Sequence, residues 1–120
     1  MKKKETIILD SNCSKELMAA KDTLSILNGK WKIQIITTLN YSGALRFMDL
    51  SRLIEGIGAK MLSKELQDLE TNLLVKRTVL NTRPVTVEYE LTPHGKTLER
   101  IINDMRLWGK LHRKKIIAKK

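Results

Sequence analysis

Lys60, Ser63, Lys64 and Gln67 are the side chains whose types and spacing best suit a chemistry in this chain. On a helix, positions 60 and 64 stand one turn apart on one side, with 63 and 67 beside them. Two ammonium groups, a hydroxyl and an amide match what duplex nucleic acid accepts. The amide can bridge an adenine edge, and a lysine can meet a guanine or a phosphate. The acids of the same stretch, Glu65, Asp68 and Glu70, cluster in its later half. Taken alone, the pattern equally describes an ordinary solvated helix face. Other cations add candidates. Arg83, beside Pro84 in a turn, could reach a minor groove or a phosphate. Arg46, Lys30 and Lys32 could contact a sugar-phosphate backbone. Lys76 and Arg77 fit strand-edge solubility, at least one of them for that reason alone.

Other chemistries find less support. Cys13 is the single cysteine, which excludes an internal disulfide and suits a reducing compartment. It lies ahead of an expected helix start, with Lys15 close by. A helix N-terminus favours the thiolate, the reactive form. Against that stands the reading of an inert, partly buried small residue. His94 and His112 have no companion at metal-ligand spacing. No nucleophile elbow, phosphate-cradling glycine loop or paired-carboxylate pattern is present. The expectation is a protein that is not an enzyme and needs neither metal nor cofactor.

The elements that would position these residues follow from periodicity. Residues 1–12 read as a loose arm. Ser14 is a suitable N-cap for a first helix ending at Leu27, with Leu17, Ala20, Leu24 and Leu27 on one stripe and Asn28-Gly29 as its stop. A second helix from about Lys30 carries Trp31, Ile35, Ile36 and Leu39 on one face. A third, from about Arg46 to Ile54, is expected to bury Phe47, Leu50, Leu53 and Ile54. Glu55-Gly56-Ile57-Gly58 forms a corner in which Ile57 plugs the gap. The fourth helix, about Ala59 to Asn72, buries Leu62, Leu66 and Leu69, with Leu73 and Leu74 closing its end. The apolar period then changes from about 3.6 to 2. Two strands, 75–80 and 85–91, flank the turn Asn81-Thr82-Arg83-Pro84. Thr92-Pro93 restarts a helix striped by Leu98, Ile101, Ile102, Met105, Trp108 and Leu111. Two helices, a glycine corner and a hairpin make a helix-turn-helix with a wing, an arrangement that reads duplex DNA.

With 120 residues, 42% hydrophobic and 30% charged, the chain is one domain with a real core. It is small for an enclosed active site. No apolar run approaches the ~18 residues of a membrane span. The basic opening Met1-Lys2-Lys3-Lys4 precedes too short an apolar run for a signal peptide, so a cytoplasmic location is expected. The net charge is +10, and residues 110–120 supply six basic side chains and no acid. The excess therefore lies mostly outside the reading head, in a basic tail at 113–120. The first and last helices carry more apolar surface than a small winged domain covers. Either the stripes fold back on their own core, or two chains pair through them as a symmetric dimer, the favoured expectation.

Several stretches together resemble the HxlR-type winged helix-turn-helix regulators, relatives of the MarR group. They are Cys13, Asn28-Gly29-Lys30-Trp31-Lys32, Leu45-Arg46-Phe47-Met48-Asp49-Leu50, Gly56-Ile57-Gly58-Ala59-Lys60-Met61-Leu62-Ser63, Val87 through Gly95, and Trp108-Gly109. They occur in the expected order over residues 13 to 112. The resemblance implies a homodimeric transcription regulator acting on a near-palindromic DNA site. Several such proteins sense oxidants or electrophiles through a cysteine placed like Cys13. One departure is Gly58, where the family more often has serine ahead of the recognition helix. Gln34, inside the apolar Ile33–Ile36 run, is another. The reading is therefore a mainly α winged helix-turn-helix with a small β-hairpin wing, dimerising through terminal helices at both ends of residues 13–112. Its expected DNA-contacting set is Lys60, Ser63, Lys64, Gln67, Arg83, Arg46 and Lys30, with Cys13 as redox sensor and no effector identified. The alternative is a winged protein–protein association module whose basic tail alone touches nucleic acid, non-specifically.

Overall fold

The computed structural model describes residues 11–119. The chain divides between Lys30 and Trp31 into two units. The first contains helix α1, Ser11–Leu27. It begins three residues before the expected start, so Cys13 lies inside its first turn and is partly buried. Most of the expected arm, residues 1–10, falls outside the described residues.

The second unit runs α2 (Lys32–Ser42), β1 (Leu45–Arg46), α3 (Phe47–Leu53), α4 (Ala59–Thr71), β2 (Val75–Leu80), β3 (Thr86–Leu91), α5 (Pro93–Lys96) and α6 (Leu98–Lys119). Its core is built from the expected stripes. Ile35, Ile36 and Leu39 of α2 and Leu62, Leu66 and Leu69 of α4 are all at most 2% exposed. Each such side chain contributes about 1.5–3 kcal/mol by leaving water. Ile57 is buried in the corner after α3, where Gly56 has φ +87° and lies near Trp31.

Two expected core leucines are outside. Leu53 is exposed because α3 has only seven residues and its inward line runs through Leu50 to Ile54. At about 100° per residue, Phe47 and Leu53 fall on opposite flanks of that line. Phe47 is half-buried and Leu53 is not. Leu73 is exposed because α4 ends in a Schellman turn: Leu73 N–H donates to the Glu70 carbonyl at 3.0 Å, and Leu74 N–H to the Leu69 carbonyl at 3.0 Å. Leu74 enters the core while Leu73 takes φ +64°, the conformation that glycine fills without a Cβ penalty. The Cβ penalty there is about 1–2 kcal/mol, partly offset by the backbone entropy glycine loses on folding. Leu73→Gly should therefore raise stability by roughly 0.5–1 kcal/mol. A melting curve followed by circular dichroism would show this as a rise of a few degrees; an unchanged or lower Tm contradicts it.

The wing is a three-stranded antiparallel sheet in the order β1-β3-β2. β2 and β3 pair from Val75↔Leu91 to Leu80↔Thr86. The unexpected strand is β1, whose Leu45 and Arg46 pair with Tyr89 and Glu88. Two residues carry no readable alternation, so the sequence placed Arg46 at a helix start instead. Tyr89 and Leu91 are buried on the inner face, whereas Val79 and Val85, nearer the tip, are exposed.

The expected terminal helix is two segments joined at Thr97. Thr92 caps the first, its hydroxyl accepting from Gly95 N–H at 2.9 Å and donating to the Leu73 carbonyl at 2.7 Å. Residues 113–119, expected as a tail, continue α6. No glycine or proline after Gly109 stops the helix, and cations in the last turns complement its dipole.

Candidate nucleic-acid interface

α4 begins after Gly58, whose extended backbone (φ −79°, ψ 157°) caps it without a side-chain hydrogen bond. The absent serine is thus a missing cap and leaves the helix in place. No acid occupies the first turn of α4. Leu62, Leu66 and Leu69 anchor one side completely. Geometry then turns positions 60, 63, 64 and 67 outward, and Lys60, Ser63, Lys64 and Gln67 are all exposed. Ser63 and Gln67 also border a recess of about 300 Å³ shared with Glu70, Arg77 and Tyr89.

Arg77 lies outside the expected DNA-contacting set. Its register explains the position: Arg77 pairs with buried Tyr89 and shares the parity of Val75 and Val79. That parity is the sheet face that meets α4, so the alternation sets which face Arg77 takes, and only the packing of the wing on α4 brings it beside Ser63 and Gln67. A cation at an apolar-parity position of a wing strand is worth attention wherever a helix lies alongside.

The other expected contacts lie apart. Arg46 is exposed on β1, its backbone N–H donating to Asp49 Oδ2 at 3.2 Å. It lines a second recess, of about 470 Å³, with Arg52 and the wing residues Val85, Thr86 and Val87 among others. Arg52, which is not among the expected contacts, forms an exposed pair with Asp49 at 2.6 Å. Such pairs contribute about 0–1 kcal/mol, so Arg52 can exchange partners at little cost. Arg83 is exposed at the wing tip, which Thr82 braces by donating to the Pro84 carbonyl at 2.8 Å. Lys30 is exposed at the end of the first unit.

Lys32 corrects the sequence reading. Its ammonium turns inward, 2.6 Å from Glu65 Oε1 and 3.4 Å from Asp68 Oδ2 on α4. Its side chain is only 13% exposed and that of Glu65 8%. It is therefore committed to the fold instead of a phosphate. Desolvation alone would lower the Lys32 pKa, but the hydrogen bonds and charges of Glu65 and Asp68 outweigh it and raise the pKa above 10.5.

Elsewhere, His94 is exposed and His112 stacks on Trp108 at 4.8 Å. Among the described residues no cluster of His, Cys, Asp or Glu could hold a metal ion, and no helix is long and apolar enough to cross a membrane.

Comparison with known proteins agrees with this architecture. The HxlR-like helix-turn-helix family model matches residues 26–116. The HTH-type transcriptional regulator YdzF of Bacillus subtilis is 35% identical over 101 residues, covering 84% of this chain and 93% of the relative. YtcD of the same organism is 38% identical over 95 residues, covering 79% and 75%. Among solved structures, the redox regulator HypR in its reduced form superposes with a TM-score of 0.75 at 34% identity, covering 83% of this chain and 98% of that one. The reduced form of the transcriptional regulator YodB from B. subtilis gives 0.68 at 36% identity, covering 73% and 85%. With a winged helix-turn-helix in place and relatives of this similarity along most of its length, the chain belongs to the HxlR-like helix-turn-helix family of transcriptional regulators.

Proposed function

We propose that the chain acts as a homodimer on a near-palindromic duplex site, each protomer inserting the N-terminal half of α4 into the major groove. The observation that carries this reading is the two-sidedness of α4. One side is fully buried leucine, and the other offers Lys60, Ser63, Lys64 and Gln67 to solvent. In this reading Arg83 follows the minor groove or its phosphates, Arg46 and Lys30 hold the sugar-phosphate backbone, and Arg77 extends the α4 face.

Pairing is supported by apolar surface left open at both ends of the chain. Leu17, Met18 and Leu24 of α1 are exposed, as are Met105, Trp108 and Leu111 of α6. Isolated exposed apolar residues need no explanation, but stripes on two helices call for a partner surface. A two-fold dimer would match half-sites separated by about one helical turn, some 34 Å. Sedimentation velocity should give a dimer. Duplex affinity should fall steeply with salt, log K dropping by about 0.9 per neutralised phosphate for each decade. A monomer, or an affinity indifferent to salt, overturns the proposal.

Redox regulation through Cys13 is the second part of the reading. The thiol is partly exposed, and the relatives include HypR and YodB, the latter also solved after diamide treatment. A lone cysteine can form a disulfide only across the dimer or with a small thiol. Diamide should change the duplex affinity of the native protein on the order of tenfold and leave Cys13→Ser unaffected. Equal responses in the two proteins would remove Cys13 from the mechanism.

A further inference from the structure

We propose that Lys32 is a positioning residue for DNA reading: from α2 it holds Glu65 and reaches Asp68, sets the rotation of α4 about its axis, and withdraws the Glu65 carboxylate from the phosphates while countering the charge of Asp68, whose side chain stays 45% exposed. The inference rests on the proposed entry of α4 into a groove.

The charge of α4 poses the problem. Its thirteen residues contain Lys60 and Lys64 but also Glu65, Asp68 and Glu70. The helix alone is net negative, and a polyanion would repel it. The compensating cation comes from another element. Among the described residues, Glu65 is the buried charged side chain, and Lys32 meets it at 2.6 Å while reaching Asp68 at 3.4 Å. Glu65 and Asp68 are three apart and share a side of the helix, so one ammonium engages both. Glu65 follows Lys64 directly in sequence. A small roll of α4 that brought Glu65 toward water would carry Lys64 away from its outward direction.

Such a tether has an asymmetric response to mutation. Removing the lysine leaves a buried carboxylate without its cation, and the carboxylate either takes up a proton or finds water by moving the helix. Replacing both partners with apolar groups removes that driving force. The two cases separate positioning from contact.

The experiment uses the full chain, a duplex enriched from a random library by the native protein, and a random-sequence duplex of equal length. Anisotropy is measured across a salt series, well below the melting temperature of every variant. Lys32→Met should weaken the enriched duplex about 10- to 100-fold and lower its preference over the random one. The slope of log K against log salt should flatten by at most the contact that Lys64 makes in each protomer, and return to the native slope when Glu65→Leu is added. Lys32→Met with Glu65→Leu should return to within about threefold of native affinity, and Lys32→Arg should also recover much of it. The double variant keeps the test valid if the single one does not fold. Native affinity in folded Lys32→Met overturns the proposal, as does a shallower salt slope with no recovery in the double variant, which marks a phosphate contact. A purely structural role would lower Tm and leave the preference between duplexes unchanged, which also overturns it. Failure of the native protein to bind any duplex would instead refute the underlying DNA-reading proposal.

Discussion

The double variant Lys60→Glu, Lys64→Glu should lose duplex binding by about a thousandfold or more at moderate salt. Both side chains are exposed on α4, so the change leaves the leucine core intact. In the proposed dimer four cations would become four anions, each at a position assigned to phosphate or a base edge. At roughly 1 kcal/mol or more per altered contact the loss reaches at least about 4 kcal/mol, or three decades in affinity. The salt dependence should flatten as well, since fewer counterions are released on binding. Circular dichroism of the variant should match that of the native chain. Reversal of Lys114 and Lys115, near the end of α6, serves as the comparison. If that pair abolished binding and the α4 pair did not, the protein would be an association module with a basic tail, and α4 would not be its reading head.

Gly95→Ala should be the most damaging single-methyl change to the fold. A Cβ at Gly95 would stand 2.1 Å from the Leu74 carbonyl oxygen and 3.0 Å from its carbon. Neither side can give way easily. The Leu74 carbonyl accepts from Thr92 N–H at 3.0 Å, and the Leu74 N–H closes the end of α4. Gly95 is itself held by the Thr92 hydroxyl at 2.9 Å. The backbones of the α4–β2 junction and of α5 cross here at a distance only glycine permits. Overpacking against side chains costs about 1–3 kcal/mol; against fixed backbone the upper end or beyond is expected. For a domain of this size that lowers Tm by roughly 10–20 °C, which thermal unfolding would detect. A Tm within a few degrees of native would mean that the two backbones can part at little cost, and that the crossing does not require glycine.

The two predictions differ in how readable their basis was. The lysines of α4 were legible because a regular leucine spacing determines both sides of a helix at once. Burying Leu62, Leu66 and Leu69 leaves positions 60, 63, 64 and 67 nowhere to go but outward. Gly95 was visible only as part of a Thr-Pro-His-Gly helix start. The reason for its glycine lies across the chain at Leu74, and local patterning carries no record of that crossing. Leu73 shows the same limit from the other direction. Its type favoured burial, but the Schellman turn that brings Leu74 into the core turns its neighbour out.

What the sequence by itself determined is the set of elements whose apolar period is long enough to read: the helices, the glycine corner, the hairpin, and the outward face of α4. These depend on contacts within a few residues or on one repeated spacing. The tertiary structure alone decided the pairings between distant segments: β1 on β3, Arg77 beside Ser63 and Gln67, and Lys32 on Glu65 and Asp68. A lysine at position 32 reads from local sequence as surface charge, because the carboxylates that capture it lie more than thirty residues away. Only the packing of α2 against α4 brings the partners within reach, where the hydrogen bonds and charges of Glu65 and Asp68 outweigh the cost of desolvating Lys32.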